Sequence, residues 1–420
     1  MSVISICSLL SAAVAIDGVV KVDFEVTHRP LVEFPSHQKR AATGNTDLDN
    51  IANRRYFYTS NVQIGTPAQK LQLLMDTGSS DTWVMGSDSG IANGGTFNSG
   101  QSSTFHSNNS NWQIQYGIGS ASGTWGSDVF TIGAATLRNM SIGTATRVNQ
   151  IQQGIVGLGR KQAEATIKQG YTYNNLPFQM KAEGLIAAAA YSLYLGDVNS
   201  GGGSILFGGV DHSKYSGKLV ALPVVHPRHL GVELQGIYTD GRDRDNTLSK
   251  STIAVLDSGT SLTYVDGGTL TNIRVALNAN PSFQIGERYY CDCNITDNLI
   301  FDFGNGAQIA VPAYNFLWPI DQFVSRQAAQ LNFPGNSCYL GIEQSSRDED
   351  FILVGDNILR AMYIVYDLDS NQIAVAPYAS NSRTGSAIEA ITGNRIPGTS
   401  SSYVVQEVDD HVEVNKYVYV

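Results

Sequence analysis

From Tyr56 onward the chain alternates short apolar runs with clusters of Gly, Asn, Asp and Ser. The runs include Tyr58 to Ile64, Leu71 to Met75, Ser204 to Phe207, Lys218 to Val225 and Thr252 to Leu256. Apolar runs this short, closed by turn formers, predict an all-β chain of short strands. Helical patterning is confined to Ala163 to Gln169, Leu176 to Glu183 and Gly268 to Ala276, the last starting after Asp266.

One strand pattern occurs twice. Leu73-Leu74-Met75-Asp76-Thr77-Gly78-Ser79 returns as Ala254-Val255-Leu256-Asp257-Ser258-Gly259-Thr260. Each copy is followed by a second apolar run ending in Gly, at Gly154 to Gly157 and at Phe351 to Gly355. A duplicated strand–turn unit predicts two similar lobes with a ligand-binding cleft between them.

The chemistry follows from the ends of those strands. Each Asp closes an apolar strand. The Gly two residues on has no Cβ, so the backbone can turn sharply and approach another chain closely. The Ser or Thr after it can donate a hydrogen bond to the carboxylate. Two carboxyls brought together cannot both ionise cheaply, so they share a proton and titrate as a unit. The neutral member then serves as acid and the charged one as base, with neither metal nor cofactor. The chain has no H-E-x-x-H zinc helix. His226 and His229, around Pro227-Arg228, read as a surface turn, and Asp81 as a turn or surface charge.

Composition narrows the setting. Charged residues make up 15% of the 420 and the net charge is −10, with no Lys/Arg block, so nucleic-acid binding has no electrostatic footing. An acidic balance suits work at low pH, where protonation relieves self-repulsion. Ile4 to Ala15 is mostly apolar and uncharged and ends in Ala13-Val14-Ala15, which predicts a signal peptide over 1–15. That stretch is too short to span a bilayer, and no membrane association is expected. Lys39-Arg40 and Arg54-Arg55 follow as candidate sites for a dibasic processing protease. A cut after Arg40 would define a propeptide over 16–40. Asn108, Asn139 and Asn294 open glycosylation sequons. With Cys7 lost in the leader, Cys291, Cys293 and Cys338 predict one disulfide and one odd thiol. Residues 379–420, rich in Ser, Gly, Thr and Asn from Ser382 to Ser402, read as a polar flexible tail.

From Tyr56 to Tyr378 the chain resembles the pepsin family, and most of all the secreted aspartic proteases of yeasts. Asp76-Thr77-Gly78-Ser79-Ser80-Asp81-Thr82-Trp83-Val84 is similar to the first active-site motif, and Leu256-Asp257-Ser258-Gly259-Thr260-Ser261 to the second. Tyr116-Gly117-Ile118-Gly119-Ser120 resembles the tip of the family's flap, with Ile118 where a small polar or acidic residue is usual. The resemblance implies a bilobal all-β fold with a first lobe over 41–212 and a second over 213–378. It implies Asp76 and Asp257 as the catalytic dyad, Ser79 and Thr260 as donors to it, and Tyr116 as the flap tyrosine with Trp83 as its partner. Gly78, Gly117, Gly119, Gly259 and Ser261 would bind substrate, taken as an added strand. It further implies a secreted, monomeric zymogen acting on protein and peptide substrates and inhibited by pepstatin-type compounds. Cys293–Cys338 would form the second-lobe disulfide, leaving Cys291 as the odd thiol. No Cys lies between Asp76 and Tyr116, so the family's first-lobe disulfide is missing and the loop Gly86 to Asn111 is expected to be looser. The alternative is a catalytically inactive binding protein on the same fold. It is disfavoured because Asp76, Asp257, Ser79, Thr260 and Tyr116 are all present.

Overall fold

The computed structural model describes residues 17–28, 56–196, 202–240, 245–279, 283–285, 288–320, 336–345, 350–379 and 387–399. The leader, both dibasic pairs and residues 400–420 lie outside them.

The sequence repeat is a structural repeat. In the first half the strand Gln69–Asp76 runs parallel to Ile155–Gly157, with Met75 opposite Val156. In the second half Thr252–Leu256 runs parallel to Phe351–Val354, with Val255 opposite Leu353. The strand after each Asp loop is antiparallel to the second member of the pair: Thr82–Met85 in one half, Thr263–Val265 in the other. Each of these in turn pairs in parallel with a further strand, Ala135–Asn149 or Ile342–Gln344. These strands read as continuous apolar runs because the parallel pairs are buried on both faces.

A six-stranded antiparallel sheet joins the halves. Its order is Val20–Asp23, Ser204–Phe207, Ala190–Tyr194, Met362–Asp367, Gln372–Pro377, Val220–Pro223. The halves meet at its centre, where Ser192 lies opposite Val365. Two of the helical expectations hold: Leu176–Ala182 carries Pro177 in its first turn, and Gly267–Ala276 is capped by Asp266, which accepts from Thr269 N at 3.0 Å. The third stretch is a 3-10 helix, Ala165–Gln169, closed by Gly170 at φ 83°.

Near both ends the structure holds strands that the sequence reading did not assign. Within residues 16–40, read from the sequence as a propeptide, Val20–Asp23 pairs with Ser204–Phe207 and Glu25–His28 pairs with Tyr56–Ile64 in the uncut chain. Val20, Val22 and Phe24 are buried while Lys21, Asp23 and Glu25 between them are exposed, which is the alternation of a half-buried strand. The expected flexible tail is also partly built in. Ile388–Ala390 pairs with Gly209–Asp211, and Ile391 and Ile396 are buried. They pack with Val210, Leu219, Tyr363, Val365 and Ala376. A few apolar residues in a polar stretch set up no long periodicity, but an apolar sheet face suffices to bury Ile391 and Ile396.

Cys293 and Cys338 form the disulfide, and Cys291 is buried and free. The loop after Gly86 is held without a first-lobe disulfide. Phe97 is buried and bridges Gly86, and Gln69 both donates to Asn98 O (2.9 Å) and accepts from Asn98 N (2.8 Å). These bonds tie the loop to the strand Gln69–Asp76 without a covalent link.

Candidate active site

Asp76 and Asp257 each stand at the end of a central strand and face each other between the halves. Burial is nearly complete, at 6% and 7% exposure. The two Gly residues set the approach. A Cβ on Gly78 would lie 2.5 Å from Asp257 Cγ, and one on Gly259 would lie 2.4 Å from Asp76 Oδ1. Only glycine allows each turn to pass this close to the opposite carboxyl.

Each carboxylate accepts from an equivalent pair of donors, a glycine N–H and a hydroxyl. Gly78 N reaches Asp76 Oδ1 at 2.9 Å and Gly259 N reaches Asp257 Oδ1 at 2.8 Å. Ser79 Oγ donates to Asp76 Oδ2, and Thr260 Oγ1 donates to Asp257 Oδ2 at 2.6 Å. Burial first, and then the charge of Asp257, push the Asp76 carboxyl far above the usual carboxylate range; the bonds from Ser79 and Gly78 oppose this. The pair therefore tends to retain a proton.

The residues between the Asp and Gly positions interlock the two turns. Thr77 Oγ1 donates to Leu256 O at 2.8 Å and accepts from Ser258 N at 2.9 Å. Ser258 Oγ donates to Met75 O at 2.9 Å and accepts from Thr77 N at 3.1 Å. All four groups are buried. Sequence reasoning missed this pair; the signal was a hydroxyl at the same position of both copies.

Trp83 Nε1 donates to Tyr116 Oη at 2.8 Å, as the resemblance implied. Tyr116 N donates to Gly119 O at 2.9 Å and closes the hairpin tip. Gly119 sits at φ 90°, where a Cβ would meet Asn149 O at 2.4 Å. Gly117 and Ile118 at the tip are exposed. Ser261 is buried and its hydroxyl bonds Asp356, a residue ion-paired to buried Arg360. The three sequon residues Asn108, Asn139 and Asn294 are exposed.

Two residues read as surface features are interior ones. Asp81 has 0% exposure. His226 is buried too, and its Nδ1 accepts from Arg228 N at 3.1 Å and His229 N at 2.8 Å. Arg160, from the first half, donates to His226 O at 2.8 Å and Pro227 O at 3.1 Å. Ser80 Oγ donates to Arg160 O at 2.6 Å, so this turn is tied to the Asp76 loop.

Residues 57–378 match the family model described as eukaryotic aspartyl protease. The chain belongs to the eukaryotic aspartyl protease family. Among its relatives is Candidapepsin-3 of Candida albicans, 35% identical over 356 residues, which cover 81% of this chain and 84% of the relative. Secreted aspartic protease 8 of the same species is 34% identical over 388 residues, covering 86% and 88%. The acid protease of Saccharomycopsis fibuligera is 36% identical over 353 residues, covering 80% and 85%. In fold the chain is similar to the aspartic proteinase of Irpex lacteus, with a TM-score of 0.66 and 23% identity over 87% of this chain and 99% of that one. The aspartyl protease described here is thus an aspartic-type endopeptidase of pepsin-like fold. Family membership implies protein or peptide substrates and inhibition by pepstatin-type compounds.

Proposed function

We propose that this aspartyl protease is a secreted acid endopeptidase in which Asp76 and Asp257 together activate a water. The observation that carries the reading is the reciprocal packing of each carboxyl against the glycine of the opposite turn, with matched donors on both.

At acid pH the pair holds one proton. The charged carboxylate takes a proton from the water as it attacks the scissile carbonyl. The protonated carboxyl hydrogen-bonds the carbonyl oxygen and stabilises the tetrahedral intermediate. A proton then passes to the leaving nitrogen. Ser79 and Thr260 hold the outer oxygens, which keeps the inner pair directed at the substrate. Tyr116, with its hydroxyl fixed by Trp83, would close the flap over the bound peptide, whose main chain Gly78, Gly117, Gly119 and Gly259 would bind. Ser261 is less suited to that role, since its hydroxyl is engaged by Asp356.

Secretion is supported by the leader pattern, the exposed sequons and relatives named as secreted. Processing by a dibasic-specific protease at Arg40 and a monomeric state complete the reading. The inactive-binder alternative has no observation in its favour, since the dyad and its donors are intact. The test is hydrolysis of a denatured protein at acid pH with and without pepstatin, using Asp76→Asn and Asp257→Asn. Either amide removes one acid/base partner and should abolish turnover in a folded protein. Near wild-type rates in either variant would overturn the assignment.

A further inference from the structure

A second pair of buried carboxyls, Asp81 and Glu164, lies in the first half of the chain, outside the dyad. Asp81 follows the first motif on the chain, and Glu164 precedes the 3-10 helix Ala165–Gln169; their exposures are 0% and 1%. Tyr173 binds both. Its hydroxyl donates to Asp81 Oδ1 at 2.9 Å and its backbone N–H donates to Glu164 Oε2 at 2.9 Å. Ala165 N donates to Asp81 Oδ2 at 2.9 Å. Both Asp81 oxygens are thus served, whereas Glu164 Oε1 is buried with no partner among the described residues.

Tyr173 is also the first rung of an aromatic ladder. Its ring meets Trp125 edge-on at 4.9 Å, Trp125 stacks on Trp112 at 6.0 Å, and Trp112 lies 6.0 Å from Trp83. Trp83 then donates to the Tyr116 hydroxyl. Whatever fixes Tyr173 therefore backs the flap tyrosine through a continuous run of packed rings.

We propose that Asp81, Glu164 and Tyr173 form a positioning site for the flap, and that it holds only while Glu164 is protonated. The first lobe, as well as the dyad, then sets the neutral-pH limit of the enzyme. The inference rests on the reading of Tyr116 as the flap tyrosine. Its physical basis is the bare Glu164 oxygen: burying an unpaired charge costs far more than burying an unpaired neutral group. The charged neighbours of Glu164 are Asp81, which opposes its ionisation, and Lys161, which favours it. The Lys161 ammonium donates to Asn174 Oδ1 at 2.7 Å and lies over the Phe178 ring, so it does not cap the bare oxygen. Around Asp81 stand the Tyr173 and Tyr116 hydroxyls. Burial pushes Asp81 up to about 6 and Glu164 up to about 8. A carboxyl raised in the folded state stabilises the fold fully below its unfolded value. That contribution drains away as pH rises through the folded one.

Glu164→Gln tests the proposal, because the amide keeps the shape and cannot ionise. Three of the chain's four tryptophans lie in the ladder, so intrinsic fluorescence reads its opening without any need for catalysis. Urea midpoints and emission would be followed from about pH 4 to about pH 8. The wild-type midpoint should fall from just above the ordinary carboxylate value up to about pH 8 with a red shift in emission, and Glu164→Gln should fall distinctly less steeply, its remaining slope coming from Asp76 and Asp81. After a hold near neutral pH and return to acid, Glu164→Gln should retain several-fold more activity than wild type. Dyad titration alone is reversible and would give no such difference. Tyr173→Phe should lower kcat more than it raises KM at acid pH, and emission in the folded variant should shift. A Glu164→Gln midpoint that falls in parallel with wild type overturns the proposal, as does a Tyr173→Phe variant with unchanged kcat and emission. Should Glu164→Gln fail to fold, amide exchange in the wild type decides. Protection at Ala165 and Tyr173, corrected for intrinsic rate, must fall with rising pH while Val156 in the central strand stays protected. Equal behaviour at the three sites refutes the idea. Loss of hydrolysis with an intact fluorescence transition would instead tell against the proteolytic reading.

Discussion

Thr77→Val offers the sharpest test of how the two turns are held together. Valine keeps the shape of threonine and removes only the hydroxyl. In the native protein that hydroxyl accepts from Ser258 N and donates to Leu256 O. The two losses are not equal. Leu256 O also accepts from Tyr366 Oη at 3.2 Å and so keeps a partner. The buried Ser258 N–H loses its hydroxyl acceptor, and a donor left unpaired in the interior costs about 1–3 kcal/mol. The expected destabilisation is therefore about 1–3 kcal/mol, not twice that. Ser258 precedes Gly259, whose N–H holds Asp257, so kcat should drop alongside stability. Thr77→Ser restores the hydroxyl and should recover most of both. Urea unfolding at acid pH, followed by fluorescence and checked by kcat on a peptide substrate, measures the two effects. A Thr77→Val variant within about 0.5 kcal/mol of wild type would refute the reasoning, because the interlock would then be dispensable.

Further predictions concern the fold's edges and the dyad. Ile396→Ala removes a fully buried side chain from the face of the six-stranded sheet and should cost about 2–5 kcal/mol by urea unfolding; a cost under about 1 kcal/mol would mean that the 387–399 segment only rests on the surface. Initial rates should peak at acid pH and fall on the alkaline side, since Asp76 is raised by burial and by Asp257 and the active pair must keep one proton. A rate still climbing at about pH 8 would contradict the shared-proton mechanism. Sequencing and intact mass of the mature protein should find Ala41 as one N-terminus, with the upstream fragment still bound, because Val20–Asp23 and Glu25–His28 are paired into two sheets. A sole start at Ala41 with no fragment would show that those strands are displaced.

What the sequence made legible was whatever repeats or is locally apolar. The two Asp motifs, their parallel partner strands and the Asp266-capped helix are each readable within a few residues. The misreadings share one physical cause, namely partners far away in the chain. Asp81 looks like a surface charge until Tyr173 and Ala165 are brought over it. His226 looks like a turn residue until Arg160 crosses from the other half to bind its carbonyl. Thr77 and Ser258 look like ordinary hydroxyls because neither copy alone reveals what the other supplies. Val20-Lys21-Val22-Asp23 carries an alternation that reads as a half-buried strand, whether or not the chain is cut behind it.

The position of that first strand has a consequence for solubility. Val20–Asp23 is the outermost member of the sheet that joins the lobes, and it presents Lys21 and Asp23, paired at 2.6 Å, to solvent. Charges on an edge strand discourage another chain from adding to it. If the strand were shed, the edge would pass to Ser204–Phe207, whose Ile205, Leu206 and Phe207 carry no charge and whose backbone would be unpaired along one side. The enzyme would then expose a ready template for strand addition. Retaining its first residues would thus keep this protease from adhering to copies of itself.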